Sequence, residues 1–142
     1  MKDIVKTVKR IIFALAIAAI VSCNTKDDIN EIFIGHEWRL TYIEAEGIRQ
    51  WPSQENIYSL TFTENYFNAY TPGGGTIRGR WSADGKTREF RCSNIQTAGI
   101  NAADKIAMDM IKMFTEATSY GGDSHYIQII TEDKNLMQFY NR

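Results

Sequence analysis

Short apolar segments in which every second residue is polar recur along this chain, and they constrain its fold more than any other feature. Such alternation places the apolar side chains on one face of a β-strand. The segments that show the pattern are 37–43, 57–63, 77–81 and 88–92, and further segments rich in aromatic and β-branched residues, at 66–70, 125–131 and 135–140, also indicate strands. Glycine, proline and short polar turns separate them, which is typical of an antiparallel sheet. We therefore expect a mainly β fold.

A tight turn is expected between two of these segments, because Asp84-Gly85 is a strong signal for a two-residue β-turn. A turn of that length fixes the register of the two strands. It would place these residues opposite each other: Gly79 with Phe90, and Arg80 with Glu89. An aromatic ring over glycine and an opposite-charge pair are both favourable cross-strand neighbours.

The same hairpin carries an arginine cluster on one face, formed by Arg78, Arg80 and Arg91 with Glu89 among them. The simpler interpretation is a solvated outer face with one salt bridge, which contributes only about 0–1 kcal/mol. The alternative is a patch that binds anions. The pattern favours the first interpretation and leaves the second open.

The period of the apolar residues becomes helical between 101 and 115. The residues at helical spacing are Ala103, Ile106, Ala107, Met110 and Phe114. Asn101 is placed to cap the helix, and Asp104 suits the positive end of the helix dipole. We expect an α+β domain, mainly β with one helix. It would be a small antiparallel β-barrel or coiled sheet packed against this single late helix.

The N-terminus has the pattern of a secretory signal peptide over residues 1–22. A basic start is followed by the apolar run 11–21, which is shorter than the about 20 residues needed to span a membrane. Residues 20–23, Ile-Val-Ser-Cys, resemble a bacterial lipobox. That resemblance implies cleavage before Cys23, acylation of this residue and anchoring in a membrane.

Residues 23–34 follow as the lipidated cysteine and a polar stretch that we expect to be a flexible tether. Within it, Lys26, Asp27 and Asp28 resemble the tag that exports lipoproteins to the outer face of the outer membrane in one group of Gram-negative bacteria. The resemblance implies a protein anchored in the outer membrane and facing the cell exterior. The alternative is that these residues are only a linker.

Residues 35–142 are then one β domain, and the charge of the mature chain limits its partners. Residues 1–22 hold four of the 16 basic and one of the 17 acidic residues, so the remainder has 12 and 16, a net charge of about −4. Without a basic surplus, nucleic acid is a poor candidate partner. Apart from Cys23 the mature chain has one cysteine, Cys92, and its alternation with Phe90 predicts that it is buried.

The order of these elements resembles that of a known family. The motifs that carry the resemblance are Trp38-x-Leu40, Leu60-x-Phe62, Gly79-x-Trp81, Asp84-Gly85, Met110 with Phe114, and Thr118-Ser119-Tyr120. Over about residues 35–141 they resemble the META domain family of HslJ-like heat-shock lipoproteins. The resemblance implies a module linked to envelope stress, with no established catalytic residues. A weaker similarity, through Gly35-x-x-Trp38, is to lipocalin-like domains and implies a carrier of a small apolar ligand.

The sequence contains no motif typical of catalysis. His36 and His125 are its only histidines, and it has no HExxH motif or Cys/His cluster for zinc. Gly73-Gly74-Gly75 lacks the Lys-Ser/Thr of a phosphate-binding loop. We therefore expect a non-catalytic protein with no cofactor or metal. A hydrolase is the alternative, since a carboxylate pair for glycoside hydrolysis can come from anywhere in a chain.

The expected function is to bind a protein or a small ligand at a cell surface. Aromatic residues in and near loops are enriched at binding hot spots. The residues expected to form the binding surface are Trp51, Tyr66, Tyr70, Gly73, Gly74 and Gly75. The alternative is that Trp51 packs on one end of the barrel and that the three glycines form only a mobile loop.

Overall fold

The computed structural model describes residues 27–142. The predicted signal peptide lies outside the described residues, as do Cys23, the predicted lipidation site, and Lys26, the first residue of the predicted export tag. In chain order the elements are α1 (Ile29–Phe33), β1 (Trp38–Ala45), β2 (Ile48–Gln50), β3 (Ser59–Phe62), β4 (Tyr66–Tyr70), β5 (Thr76–Ala83), β6 (Phe90–Ala98), α2 (Lys105–Glu116), β7 (Ala117–Gly122), β8 (Tyr126–Thr131) and β9 (Leu136–Asn141).

The strands form one antiparallel sheet in the order β6-β5-β4-β3-β1-β9-β8-β7, with β2 paired to β1. The two ends of this order come close together. The backbone of Glu89 bridges that of Ser119, and the Tyr120 amide donates to the Arg88 carbonyl at 3.0 Å. The sheet is therefore a nearly closed barrel. This confirms the predicted fold class, mainly β with one main helix.

Helix α2 packs against the sheet and completes the core. Its buried residues are Ala107, Met110, Met113 and Phe114. The Phe114 ring stacks on that of Phe67 from β4, with centroids 4.6 Å apart. The predicted core-facing role of Met110 and Phe114 is confirmed.

The start of α2 differs from the prediction. Its N-cap is Asp104, whose carboxylate accepts from the Ala107 amide at 3.0 Å. Asn101 accepts instead from the Ala103 amide at 2.9 Å, in the turn that precedes the helix. Both residue types cap backbone amides, so composition alone does not decide which of them begins the helix.

Residues 27–34, expected to belong to a flexible tether, are part of the folded domain, and the structure corrects that prediction. Asp28 caps α1 by accepting from the Glu31 amide at 3.1 Å. Phe33 is fully buried, and its carbonyl accepts from the Trp38 indole at 3.1 Å. A helix of five residues is too short for a periodic signal, so its position depends on contacts distant in sequence.

Asp27 is also held by several partners. Its carboxylate accepts from the Tyr120 hydroxyl at 2.7 Å and lies 3.2 Å from the Arg88 guanidinium. Its amide donates to the Gly85 carbonyl at 3.0 Å. Two residues of the proposed export tag, Asp27 and Asp28, therefore attach the N-terminal segment to the domain. Their role as an export tag stays a prediction.

The β5–β6 hairpin has a longer connection than predicted. Its strands end and begin at Ala83 and Phe90, which lie opposite each other, so Arg80 faces Ser93 rather than Glu89. The two-residue turn signal is misleading here, because the aspartate of the dipeptide accepts backbone amides within a wider turn.

A second irregularity changes the faces of β1. The register shifts between Leu40 and Tyr42, and Ile43 rather than Tyr42 belongs to the core cluster. Tyr42 lies on the outer side, where its hydroxyl donates to Gln138 at 3.1 Å. Strict alternation predicts the wrong face because a bulge adds one residue to a strand.

Candidate functional site

An open hollow of about 520 Å³ lies on the outer face of β4, β5 and β6. Cross-strand pairing places its side chains next to each other: Asn68 faces Arg78, and Arg78 faces Gln96. Tyr66 and Arg80, each two residues away from the Asn68–Arg78 pair on its own strand, also face each other. We call this surface the arginine hollow, and it is lined by Thr63, Tyr66, Phe67, Asn68, Arg78, Gly79, Arg80, Asn94 and Gln96.

A bulge between β5 and β6 shapes this hollow. The register shifts between Arg78 and Arg80, and β6 accommodates its extra residue at Asn94, whose φ of 51° is left-handed. Gly79 permits a close approach, since a Cβ there would lie 2.7 Å from the Phe67 ring. On the β4 side Gly79 faces Phe67. On the β6 side the predicted pair of Gly79 with Phe90 is not formed, because Phe90 lies opposite Ala83. Both arginines remain exposed on the outer face.

Arg78 and Arg80 differ from the other arginines of the described chain in their electrostatic surroundings. Neither forms an ion pair with any carboxylate in residues 27–142, whereas every other arginine of that range does. The pairs are Arg39–Glu37, Arg49–Glu44, Arg88–Asp27, Arg91–Glu89 and Arg142–Glu37. Arg80 donates to the Tyr66 hydroxyl at 3.2 Å, and its Cζ lies 5.3 Å from the centre of that ring. Two positive charges on one face are therefore left without a negative partner.

The arginine hollow combines these charges with neutral hydrogen-bonding groups. Guanidinium groups bind carboxylate, sulfate or phosphate oxygens through paired N–H donors. Each of the amides Asn68, Asn94 and Gln96 supplies donors and an acceptor. Both arginines are exposed, so a ligand can reach them directly, and its attraction will weaken as salt rises.

Sequence reasoning identified part of this site. Tyr66 is in the predicted binding surface, and the two arginines are in the predicted cluster. Asn94 and Gln96 were missed because β6 continues to Ala98, beyond the segment that shows alternation. The signal for a longer strand is weak, since Ile95 is the single large apolar residue in 93–98.

Trp51 lies apart from the arginine hollow, so the predicted binding residues do not form one site. Its ring centre is 5.0 Å from that of Tyr42, and the Arg49 guanidinium is 5.7 Å from the Trp51 ring. Trp51 is nevertheless 58% exposed. It forms a separate aromatic surface beside β1 and β2.

Tyr70 and the three glycines lie at the other end of β4 from Tyr66. Tyr70 is exposed on the outer face. Gly73 and Gly74 have φ angles of +86° and +90°, and Gly75 is packed against the Thr71 hydroxyl so closely that a Cβ would collide with it. The Thr71 amide donates to the Gly75 carbonyl at 2.9 Å. The glycines thus build a hydrogen-bonded turn, and they do not join Trp51 or the hollow.

Cys92 is a free, partly buried thiol, and burial raises its pKa to about 12. It therefore stays protonated at neutral pH, which makes it a poor nucleophile. Within residues 27–142, no three His, Cys, Asp or Glu side chains are grouped closely enough to hold a metal ion. Over the same part of the chain, no helix has the length and apolar character needed to cross a membrane.

The fold and the hollow define a small, nearly closed β-sheet domain that presents a cationic, amide-rich surface. The chain belongs to the family DUF4847, a domain of unknown function, whose sequence model matches residues 24–141. The resemblance to the META domain family is therefore wrong, and the weaker lipocalin-like resemblance is likewise not supported. The motifs that suggested META describe features that many small sheets packed on a helix share, such as a Gly-x-Trp strand and a turn. No curated protein matches the chain.

Solved structures with a similar fold include the following two. One is the crystal structure of a DUF4847 family protein from Bacteroides vulgatus ATCC 8482, at 23% identity and a TM-score of 0.59, covering 79% of this chain and 96% of that one. The other is the NMR structure of a protein from Burkholderia xenovorans, at 14% identity and a TM-score of 0.62, covering 80% of this chain and 86% of that one. At these identities the likeness concerns the fold alone.

Proposed function

We propose that this protein is a non-catalytic binding module, held at the outer membrane by the acylated Cys23 and facing the cell exterior, that captures an acidic polysaccharide in the arginine hollow. The signal peptide and lipobox support the anchor. The outer face of β4, β5 and β6 supports the binding site. The stress-related role that accompanied the META resemblance is no part of the proposal.

The single observation that carries the binding site is the pair Arg78 and Arg80. They stand on one face of a strand, about 7 Å apart along it, with no carboxylate partner in residues 27–142, although every other arginine there has one. Two like charges at that distance repel each other. A bound anion would relieve the repulsion and would use donors that the protein leaves open.

The surrounding amides favour a ligand rich in hydroxyl groups. Asn68, Asn94 and Gln96 can donate and accept at once, as sugar hydroxyls can. An acidic peptide would gain affinity by pairing with the edge of a sheet. That route is closed at the hollow, because β5 already pairs with β4 on one side and β6 on the other.

The alternatives fit the structure less well. A carrier of apolar ligands needs a cavity of several hundred Å³, but the Phe33 ring lies inside the sheet, 5.1 Å from both Phe62 and Trp81. A glycoside hydrolase needs two carboxyl groups beside its ligand, and the residues that line the arginine hollow include none.

Isothermal titration of the unlipidated protein with polygalacturonate tests the proposal. Arg78→Gln and Arg80→Gln each remove charge-assisted hydrogen bonds, which contribute about 1.5–3 kcal/mol. The Kd should therefore rise roughly tenfold to a hundredfold in each variant. Arg49→Gln is the matched control, because it alters net charge equally at an arginine that pairs with Glu44 outside the hollow. It should leave the Kd unchanged.

Neutral dextran and polyglutamate complete the design. Dextran should not bind, and polyglutamate should bind more weakly than polygalacturonate because it lacks hydroxyl groups. Equal losses in the Arg78, Arg80 and Arg49 variants would mean that net charge alone governs binding. No binding of polygalacturonate at low salt, or tighter binding of polyglutamate, would refute the ligand class.

A further inference from the structure

The chain is fixed to one end of the domain from Asp27 onward, four residues after the proposed lipidation site. The Asp27 amide donates to the Gly85 carbonyl at 3.0 Å. Its carboxylate accepts from the Tyr120 hydroxyl at 2.7 Å and pairs with Arg88 at 3.2 Å. The chain is therefore attached to the domain from Asp27 onward, well before β1 begins.

Helix α1, which follows Asp27, lies at the end of the sheet where β3 and β5 end and where β6 begins. Its Phe33 ring contacts one residue from each of these strands. They are Phe62, Trp81 and Phe90, with ring centroids 5.1, 5.1 and 5.6 Å away. We call this the α1 end of the domain.

Helix α2 marks the opposite end. Asp104 at its start accepts from the hydroxyl of Tyr58, just before β3, at 2.8 Å. Asp109 accepts from Gln50, the last residue of β2, at 2.7 Å. Strand β5 has eight residues and runs between the two ends. At about 3.3 Å per residue it spans about 23 Å.

The chain between the lipidation site and Asp27 is too short to reach the far end. Only three residues separate Cys23 from Asp27. A fully extended chain advances at most about 3.6 Å per residue, so these four steps cover no more than about 14 Å. An acyl group on Cys23 must therefore enter a membrane within that distance of the attachment at Asp27.

We propose that the α1 end of the domain rests against the lipid headgroups and that the α2 end points away from the membrane. The inference rests on the proposed anchor at Cys23 and adds a fixed orientation to it. The α1 end exposes both charge signs, as at Lys86 and Glu89, so the short covalent connection and not net charge sets the orientation. The arginine hollow, on the side wall of the barrel, then faces along the membrane surface.

Fluorescent labels at the two ends test this orientation in the acylated mature protein, which begins at Cys23. Lys86→Cys places a label on an exposed turn at the α1 end, and Asp133→Cys places one on an exposed turn at the α2 end. Both variants carry Cys92→Ala, so that one accessible thiol is labelled. The proteins are reconstituted in phosphatidylcholine vesicles that contain a nitroxide headgroup lipid. The label at 86 should be quenched several-fold more strongly than the label at 133.

A longer tether provides the control. A flexible Gly-Ser insertion of about ten residues after Thr25 should leave the protein on the vesicles and remove most of the difference between the two labels. Equal quenching in vesicle-bound protein without the insertion would overturn the orientation while leaving the anchor intact. A difference that survives the insertion would refute the short covalent connection as the cause of the orientation, since surface contacts would then orient the domain. If the acylated and the unacylated protein are both recovered in the soluble fraction instead of on the vesicles, the anchor of the proposed function is refuted, and the orientation with it.

Discussion

Replacing Phe33 by alanine tests whether α1 belongs to the folded domain. The Phe33 ring is fully buried. Its aromatic neighbours are Phe62, Trp81 and Tyr120, each at 5.1 Å, and Phe90 at 5.6 Å. Removing a buried phenylalanine ring destabilises a protein by about 3–5 kcal/mol. That is a large share of the about 5–15 kcal/mol by which a domain is usually stable.

Urea unfolding of the unlipidated protein, followed by tryptophan fluorescence, measures this effect. The midpoint of Phe33→Ala should fall while the dependence on urea stays the same. Asn30→Ala is the matched control, because this residue is exposed on the same helix and its loss should change stability by less than about 0.5 kcal/mol. If Phe33→Ala is no more destabilising than the control, residues 27–34 are a tether and our description of α1 is wrong.

Three further predictions concern other parts of the chain. Asp104→Ala removes the N-cap of α2 and the acceptor of the Tyr58 hydroxyl. Thermal unfolding should show a loss of stability of about 1–3 kcal/mol for this variant and a smaller loss for Asp104→Asn. Equal losses in the two variants would contradict the capping role. Burial and the Asp104 carboxylate raise the pKa of Tyr58 in the folded protein. The contribution of the Tyr58 hydroxyl to stability is therefore complete below about pH 10, the pKa of tyrosine in the unfolded chain, and is lost as the pH rises above that value. Tyr58→Phe should make the alkaline decline of the melting temperature shallower, and an unchanged decline would count against this coupling. Cys23→Ala should release the protein from the membrane fraction, and continued sedimentation after removal of the signal peptide would refute the lipobox.

Sequence reasoning predicted the elements in which one face is buried over an uninterrupted stretch. The helix that holds Met110 and Phe114 and the strand that holds Leu60 and Phe62 are examples. Their periods follow from burial of one face and need no knowledge of neighbouring segments. Helix α1 and strands β2 and β7 have no such pattern, because they are short or contain small and polar residues. Their positions depend on partners distant in sequence.

Register could not be predicted for a related reason. The bulge near Gly79 and the one between Leu40 and Tyr42 each add a residue to one strand, and no local motif marks either of them. The candidate site depends on the first bulge, which brings Asn94 beside Arg80 at the hollow. The sequence indicates an arginine cluster. That Arg78 and Arg80 lack a carboxylate partner within residues 27–142 follows only from the ion pairs of the folded chain, in which the other arginines there are paired.

The central claim is that Arg78 and Arg80 are the contact points of an anionic ligand, and side-chain NMR tests it most directly. The Nε–Hε signals of the arginines are recorded while polygalacturonate is added to isotopically labelled, unlipidated protein. We predict saturable shifts of the Arg78 and Arg80 signals, with those of Arg49 and Arg142 unchanged because each is paired with a glutamate outside the hollow. Saturable shifts of the Arg49 signal with none at Arg78 and Arg80, or no saturable shift at any arginine, would contradict the claim.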